Sequence, residues 1–163
     1  MTDMKMGRLK LTGVMAGVIA LSGCVQSIPI ETPPVIPAYK SASRGLEANS
    51  LVATEVRAFS KESGKKAELK GVPCTIKSSY FDAEVITPAM VQLPSYADKT
   101  PPVELSCTYN EKIVTRTVAP YNQTVSDRTT KWGGGLLTYV IVAAATKAEK
   151  SVFVYPRLSV IFE

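Results

Sequence analysis

Histidine is missing from all 163 residues. Its absence removes the side chain that most often serves as general base near neutral pH and as a metal ligand. Cysteine occurs three times, at Cys24, Cys74 and Cys107, too few thiolates to build a tetrahedral zinc site without imidazole. No serine stands in a Gly-x-Ser-x-Gly elbow. Gly133-Gly134-Gly135 lacks the Lys-Ser/Thr that completes a phosphate-binding loop, and it reads instead as a place where the chain bends or another backbone approaches closely. Asp82 and Glu84 are two apart on one strand face, an arrangement commoner for solvated acids than for a catalytic pair. These absences argue against an enzyme, and no cofactor or metal is expected. Charge is also modest: 19 basic residues against 14 acidic give +5. So small and dispersed an excess gives no basis for a nucleic-acid partner.

What is present begins at the N-terminus. Lys5, Arg8 and Lys10 precede an apolar stretch from Leu11 to Leu21, which closes as Leu21-Ser22-Gly23-Cys24. A basic-then-apolar leader of this kind is a secretory signal that is removed, and its core is too short to span ~30 Å of hydrocarbon. The four closing residues resemble the lipobox of bacterial lipoproteins. That resemblance implies cleavage before Cys24, whose thiol then carries a diacylglycerol and whose amine carries a third acyl chain. Two or more chains hold a protein stably on a membrane. In enteric bacteria an aspartate after the lipidated cysteine retains lipoproteins in the inner membrane. Val25 stands there instead, which implies the inner leaflet of the outer membrane, facing the periplasm, with the inner membrane as the alternative. An ordinary cleaved signal with a chance cysteine, or a retained anchor helix, would be the other readings.

Removing residues 1–23 takes away three basic residues and one acidic residue, and leaves a net charge of +3. The remaining length suits one core and one domain. The expected organisation is a signal peptide over 1–23, a lipidated N-terminus and Pro-rich tether over 24–40, and a periplasmic β-rich domain over 41–163. Pro29, Pro33, Pro34 and Pro37 favour extended, polyproline-like backbone that could hold the domain up to ~50 Å from the bilayer. A proline-rich strap packed on the domain is the alternative.

Eleven prolines and ten glycines among many Val, Thr and Tyr residues favour strands and turns. Residues 46–59 are ambiguous: Val52, Val56 and Phe59 have helical spacing, but the composition is strand-like, and a strand is preferred. Lys61, Lys65, Lys66 and Lys70 surround Gly64 with Glu62 and Glu68 among them, which suggests a solvated hairpin loop rather than a headgroup contact. Alternation puts Val72, Cys74 and Ile76 on one face, and Val103, Leu105, Cys107 and Tyr109 on one face of a second strand. Pro88 separates two further short strands. Residues 112–118 form another, with Val114, Arg116 and Val118 on one side. The runs 152–155 and 158–162 flank Pro156 as two short runs or an edge strand. In an oxidising compartment Cys74 and Cys107 would pair. Closing that loop is worth roughly 3–4 kcal/mol on the chain-entropy model.

Gly71-Val72-Pro73-Cys74-Thr75-Ile76, Thr87-Pro88-Ala89-Met90-Val91-Gln92-Leu93 and Val103–Tyr109 together look like a PEGA-type β-module, over roughly residues 69–119. The Asp-Gly turn usual after that family's first strand is replaced by Ser78-Ser79, and Ser95–Pro102 delays the closing strand. The resemblance implies a non-enzymatic surface module of envelope proteins and supplies no active site.

Residues 132–146 are almost wholly apolar. A helix there would rise only about 22 Å, short of a membrane span, and would be apolar all round, so it must be buried. It could pack on the sheet, meet a partner or insert shallowly in lipid. Trp132, Leu136, Leu137, Tyr139, Val140 and Ile141 are the candidate partner-binding residues. The expectation is a mainly β fold: a small antiparallel β-sandwich or sheet with one short apolar helix packed on it. The expected function is a membrane-anchored lipoprotein acting as an accessory subunit with an envelope protein partner. The alternative is a ligand-binding module for peptidoglycan, glycan or lipid, with Tyr80, Phe81, Tyr96 and Tyr121 as candidate lining. Asn122-Gln123-Thr124 matches a glycosylation triplet that a bacterial lipoprotein would not normally use.

Overall fold

Strand-period alternation of apolar and polar side chains builds two sheets in a computed structural model that describes residues 27–62, 64–131 and 151–163. The first sheet has five antiparallel strands. Its order is β1 (Ala38–Tyr39), β5 (Phe81–Ile86), β4 (Pro73–Lys77), β7 (Val103–Tyr109) and β8 (Lys112–Val118). The second is organised by one long strand, β2 (Ser50–Glu62). On one side of it, β6 (Ala89–Ser95) pairs antiparallel with Ser50–Val56, and β3 (Lys65–Leu69) pairs with Ala58–Glu62. On the other side, β11 (Leu158–Phe162) pairs in parallel with Val56–Ser60. β9 (Tyr121–Asn122) and β10 (Phe153–Val154) form a separate antiparallel ladder.

The two inner faces meet in one core. Ile76, Phe81, Val103 and Leu105 from the first sheet pack with Val56, Val91, Leu93 and Leu158 from the second, all with no solvent exposure. The fold is therefore a small β-sandwich. Burying a side chain such as Phe81 contributes on the order of 2–3 kcal/mol, and the core residues are drawn from both ends of the domain sequence.

Within the ambiguous run 46–59, Leu46 ends α1 and the chain is strand β2 from Ser50 onward. Val56 and Ala58 face the core, while Arg57 and Phe59 alternate onto the outward face beside Lys66 and Glu68. Helical spacing would have joined Val56 to Phe59; pairing on both edges separates them. Gly64, at φ 79°, lies in the β2–β3 hairpin, as its surroundings suggested. The Thr87–Pro88 peptide is cis and passes the chain from β5 in one sheet to β6 in the other. Pro156 separates β10 from β11, so the C-terminal run is two short strands, with β11 at a sheet edge.

The proline-rich segment differs from the extended tether expected over 24–40. From Ile28 onward it is a strap. The Val35 amide donates to Met90 O at 2.8 Å, the Gln92 amide donates to Val35 O at 2.9 Å, and Ala38–Tyr39 add to β5 as β1. Prolines keep this segment extended, which lets it run alongside β6 and β5, and Pro37 is buried.

Helix α1 (Ala42–Leu46) follows the strap. Helix α2 (Gln123–Lys131) has no counterpart in the sequence reading. Its N-terminal signal is present nonetheless: Asn122 Oδ1 accepts from the Val125 amide at 3.0 Å, an N-cap contact made by the asparagine of the apparent glycosylation triplet. The expected apolar helix over 132–146 lies outside the described residues.

Candidate functional site

Two concave surfaces and one buried polar cluster stand out. The first concavity, about 420 Å³, lies between α1 and the turn at Tyr96–Lys99. The Ser78 hydroxyl shapes one wall: it accepts from the Tyr80 and Phe81 amides at 3.1 and 3.0 Å and donates to Phe81 O. Thr100 shapes the other wall, its hydroxyl accepting from the Tyr96 amide at 2.8 Å and donating to Ala97 O at 2.7 Å. The Tyr80 and Tyr96 rings meet edge to face, with centroids 5.0 Å apart. The Arg44 guanidinium lies 4.1 Å from the Tyr80 centroid and pairs with Glu47 at 2.7 Å. Gly45 allows close approach of Tyr39, since a Cβ there would stand 3.3 Å from its ring.

Tyr96 is 6% exposed, and its hydroxyl has no hydrogen-bond partner among the described residues. Burial pushes that phenol up to about 12, with smaller effects from Tyr39, Arg44, Glu47 and Tyr80. Tyr155 provides the contrast: it is equally buried, but its hydroxyl donates to Pro101 O at 2.6 Å.

The second concavity, about 750 Å³, is a shallow groove on the outward face of the five-stranded sheet. Val35 of the strap, Thr75, Glu84, Ile86 and Ile113 line it. Ile86 and Ile113 are 66% and 69% exposed, and these apolar side chains have no covering layer among the described residues.

The polar cluster lies on the outward face of the other sheet. Arg57 is ion-paired with Glu68 and with Glu55, the latter at 3.0 Å. The strap closes over it: Arg57 Nη1 donates to Ile28 O at 2.9 Å, and the Ile28 amide donates to Glu68 Oε2 at 2.8 Å. Burial pulls the Arg57 guanidinium down, but its hydrogen bonds and attraction to Glu68 and Glu55 outweigh that and raise it. The hydrogen bond from Arg57 holds the Glu55 carboxyl below its usual range; burial opposes this, and the charges of Arg57 and Arg157 assist it.

Cys74 and Cys107 stand at disulfide distance, 2.06 Å between sulfurs. They occupy directly opposed positions on β4 and β7, facing the core. Tyr80 and Tyr96 come together, whereas Phe81 is a core residue and Tyr121 is exposed on β9. Asp82 pairs with Lys40 at 3.3 Å, and Glu84 faces outward into the groove. Cys24 and the candidate partner-binding residues Trp132, Leu136, Leu137, Tyr139, Val140 and Ile141 lie outside the described residues. Among the described residues, no cluster of three or more His, Cys, Asp or Glu could hold a metal ion, and no helix is long and apolar enough to cross a membrane. Ile28, Arg57 and Glu68 were not singled out from sequence; an isolated arginine and glutamate in alternating strands look like ordinary surface charge. No protein-family model, curated protein or solved structure matches the chain.

Proposed function

We propose that this is a lipid-anchored β-sandwich of the bacterial cell envelope, facing the periplasm, that acts without catalysis as an accessory subunit docked on an envelope protein. The observation that carries the docking is the uncovered groove flanked by Ile86 and Ile113 on the five-stranded sheet. Exposed isoleucines on a sheet face are unfavourable in water and favourable at an interface. The lipobox resemblance at Leu21–Cys24 supports the anchor, and the PEGA-like pattern, which runs through β4–β8, supports a surface module. The apolar run 132–146 is the partner contact expected from the sequence.

Detergent extraction of C-terminally tagged protein, followed by sizing and mass spectrometry, tests this reading. A stoichiometric envelope protein that is lost from Ile86→Lys/Ile113→Lys is the expected result. A monomer in gentle detergent removes the accessory-subunit reading. Cys24→Ala should accumulate as unprocessed, misplaced precursor; normal anchoring of this variant removes the lipoprotein reading.

A second reading rests on the Tyr96 hydroxyl, unpartnered among the described residues, in the Arg44–Tyr80–Tyr96 cleft. With Glu47, Asn49 and Asp98 around it, the cleft offers several hydrogen-bonding groups to a polyhydroxylated ligand such as a peptidoglycan sugar. Saturable binding of soluble peptidoglycan fragments that weakens in Asn49→Ala would favour this reading; no binding would discard it.

A further inference from the structure

The structure clamps the N-terminal strap at Ile28, which shortens the connection to the proposed lipid anchor. Ile28 is held through both its amide and its carbonyl by Glu68 and Arg57, whose side chains are 2% and 7% exposed. Four peptide steps separate Cys24 from Ile28, and a fully extended chain covers at most about 14 Å in that number. This reach is far shorter than the ~50 Å available to an unpacked polyproline-like segment of residues 25–40.

The face from which the chain leaves the domain is basic. Lys61 and Lys66 stand opposite each other in register on the outward side of β2–β3, the side that also carries Arg57, Phe59 and Glu68. Lys70, the residue after β3, is exposed as well, whereas Lys65 alternates onto the other side. Lys66 Nζ lies 4.0 Å from the Phe59 ring centroid. Nearby acids offset only part of this charge. Glu68 is committed to Arg57, and Glu55 to Arg57 and Arg157. Glu31 lies 3.9 Å from Lys70 with both side chains mostly exposed. Lys61, Lys66 and Lys70 thus stand with only one of these acids, Glu31, that is not taken up by arginine.

We propose that the outward face of β2–β3 docks on an anionic phospholipid surface, held there by the short Cys24–Ile28 connection and by Lys61, Lys66 and Lys70. The proposal rests on the lipoprotein reading for its anchor. Attraction between exposed charges fades over a Debye length of about 8 Å at physiological ionic strength. A ~50 Å tether would leave these lysines outside the field of the headgroups, whereas a connection of at most about 14 Å keeps them near it. The same geometry turns the groove at Ile86 and Ile113, on the opposite sheet, away from the bilayer and toward the periplasm.

The test uses full-length lipidated protein in vesicles that carry a headgroup-linked quencher, with a fluorophore at Ile161→Cys or at Ile113→Cys. Ile161 is 41% exposed beside Phe59 on the basic face, and Ile113 lies on the opposite face. On vesicles containing phosphatidylglycerol, quenching at 161 should exceed quenching at 113 several-fold. Lys61→Gln/Lys66→Gln/Lys70→Gln, or neutral phosphatidylcholine alone, should remove most of that difference. Equal quenching at the two positions, or a difference indifferent to lipid charge and to the lysine substitutions, overturns the proposal. The mass of the N-terminal peptide distinguishes the other failure: an unacylated Cys24 removes the anchor, and the docking with it.

Discussion

Cys74 and Cys107 face each other directly across β4 and β7, so the link between them crosses one sheet instead of joining the two layers. It tightens the centre of the five-stranded sheet and constrains the long connection that carries β5 and β6. Cys74→Ala/Cys107→Ala should lose about 3 kcal/mol, measured by denaturant unfolding. An unchanged midpoint would show that the sheet does not depend on the bridge.

The Arg57–Glu68 pair and the strap form one unit. Removing one partner of a buried pair leaves an uncompensated charge and costs about 3–5 kcal/mol. Glu68→Gln should therefore destabilise the domain and free Ile28. Limited proteolysis should cut the Ser27–Glu31 region faster in the variant than in the parent protein. Equal cutting rates would mean that the strap is held elsewhere, at Val35 and β1.

Stability should fall in acid in part through Glu55. Its carboxyl is held below the ordinary value of 4.5, first by the hydrogen bond from Arg57. A carboxyl depressed in the folded state contributes stability that is present above its unfolded pKa and is lost as pH falls through its folded pKa. Glu55→Gln should remove that contribution, so unfolding midpoints of variant and parent should converge below pH 4.5. A gap that stays constant through acid would refute the assignment.

The β7–β8 hairpin turns through Asn110 and Glu111, both with positive φ, at 47° and 63°. Asparagine tolerates this region, but glutamate is strained there, and Asn-Gly is the preferred pair. Glu111→Gly should raise stability by about 1 kcal/mol in thermal unfolding. A loss of stability would show that the Glu111 side chain matters more than backbone strain.

The buried hydroxyl of Tyr96 lacks a partner among the described residues. Tyr96→Phe deletes a polar group that receives no compensating bond, so stability should rise by about 1 kcal/mol. A fall in stability would reveal a hydrogen bond made through ordered water, and a crystal structure would place that water.

Much of the sheet was legible because its physical cause is local. Alternation placed Val72, Cys74 and Ile76, and likewise Val103, Leu105 and Cys107, on inward faces, and the pleat leaves them no other arrangement once one side is buried. Gly64 and the prolines at 88 and 156 marked connections for equally local reasons. Cys24, with the small residues before it, carried the expected address in four positions.

The tertiary structure decided what depends on distant partners. It made β11 parallel to β2, because a C-terminal strand can add to whichever edge is free. It turned the prolines of the strap from a spacer into a packed segment, since an extended chain can either remain in water or pair with a sheet edge. It joined Ile28 to Arg57 and Glu68, and Tyr80 to Tyr96, across gaps that no sequence period spans. Alternation tells each residue which face it takes; only the packing of the two sheets tells it what lies on that face.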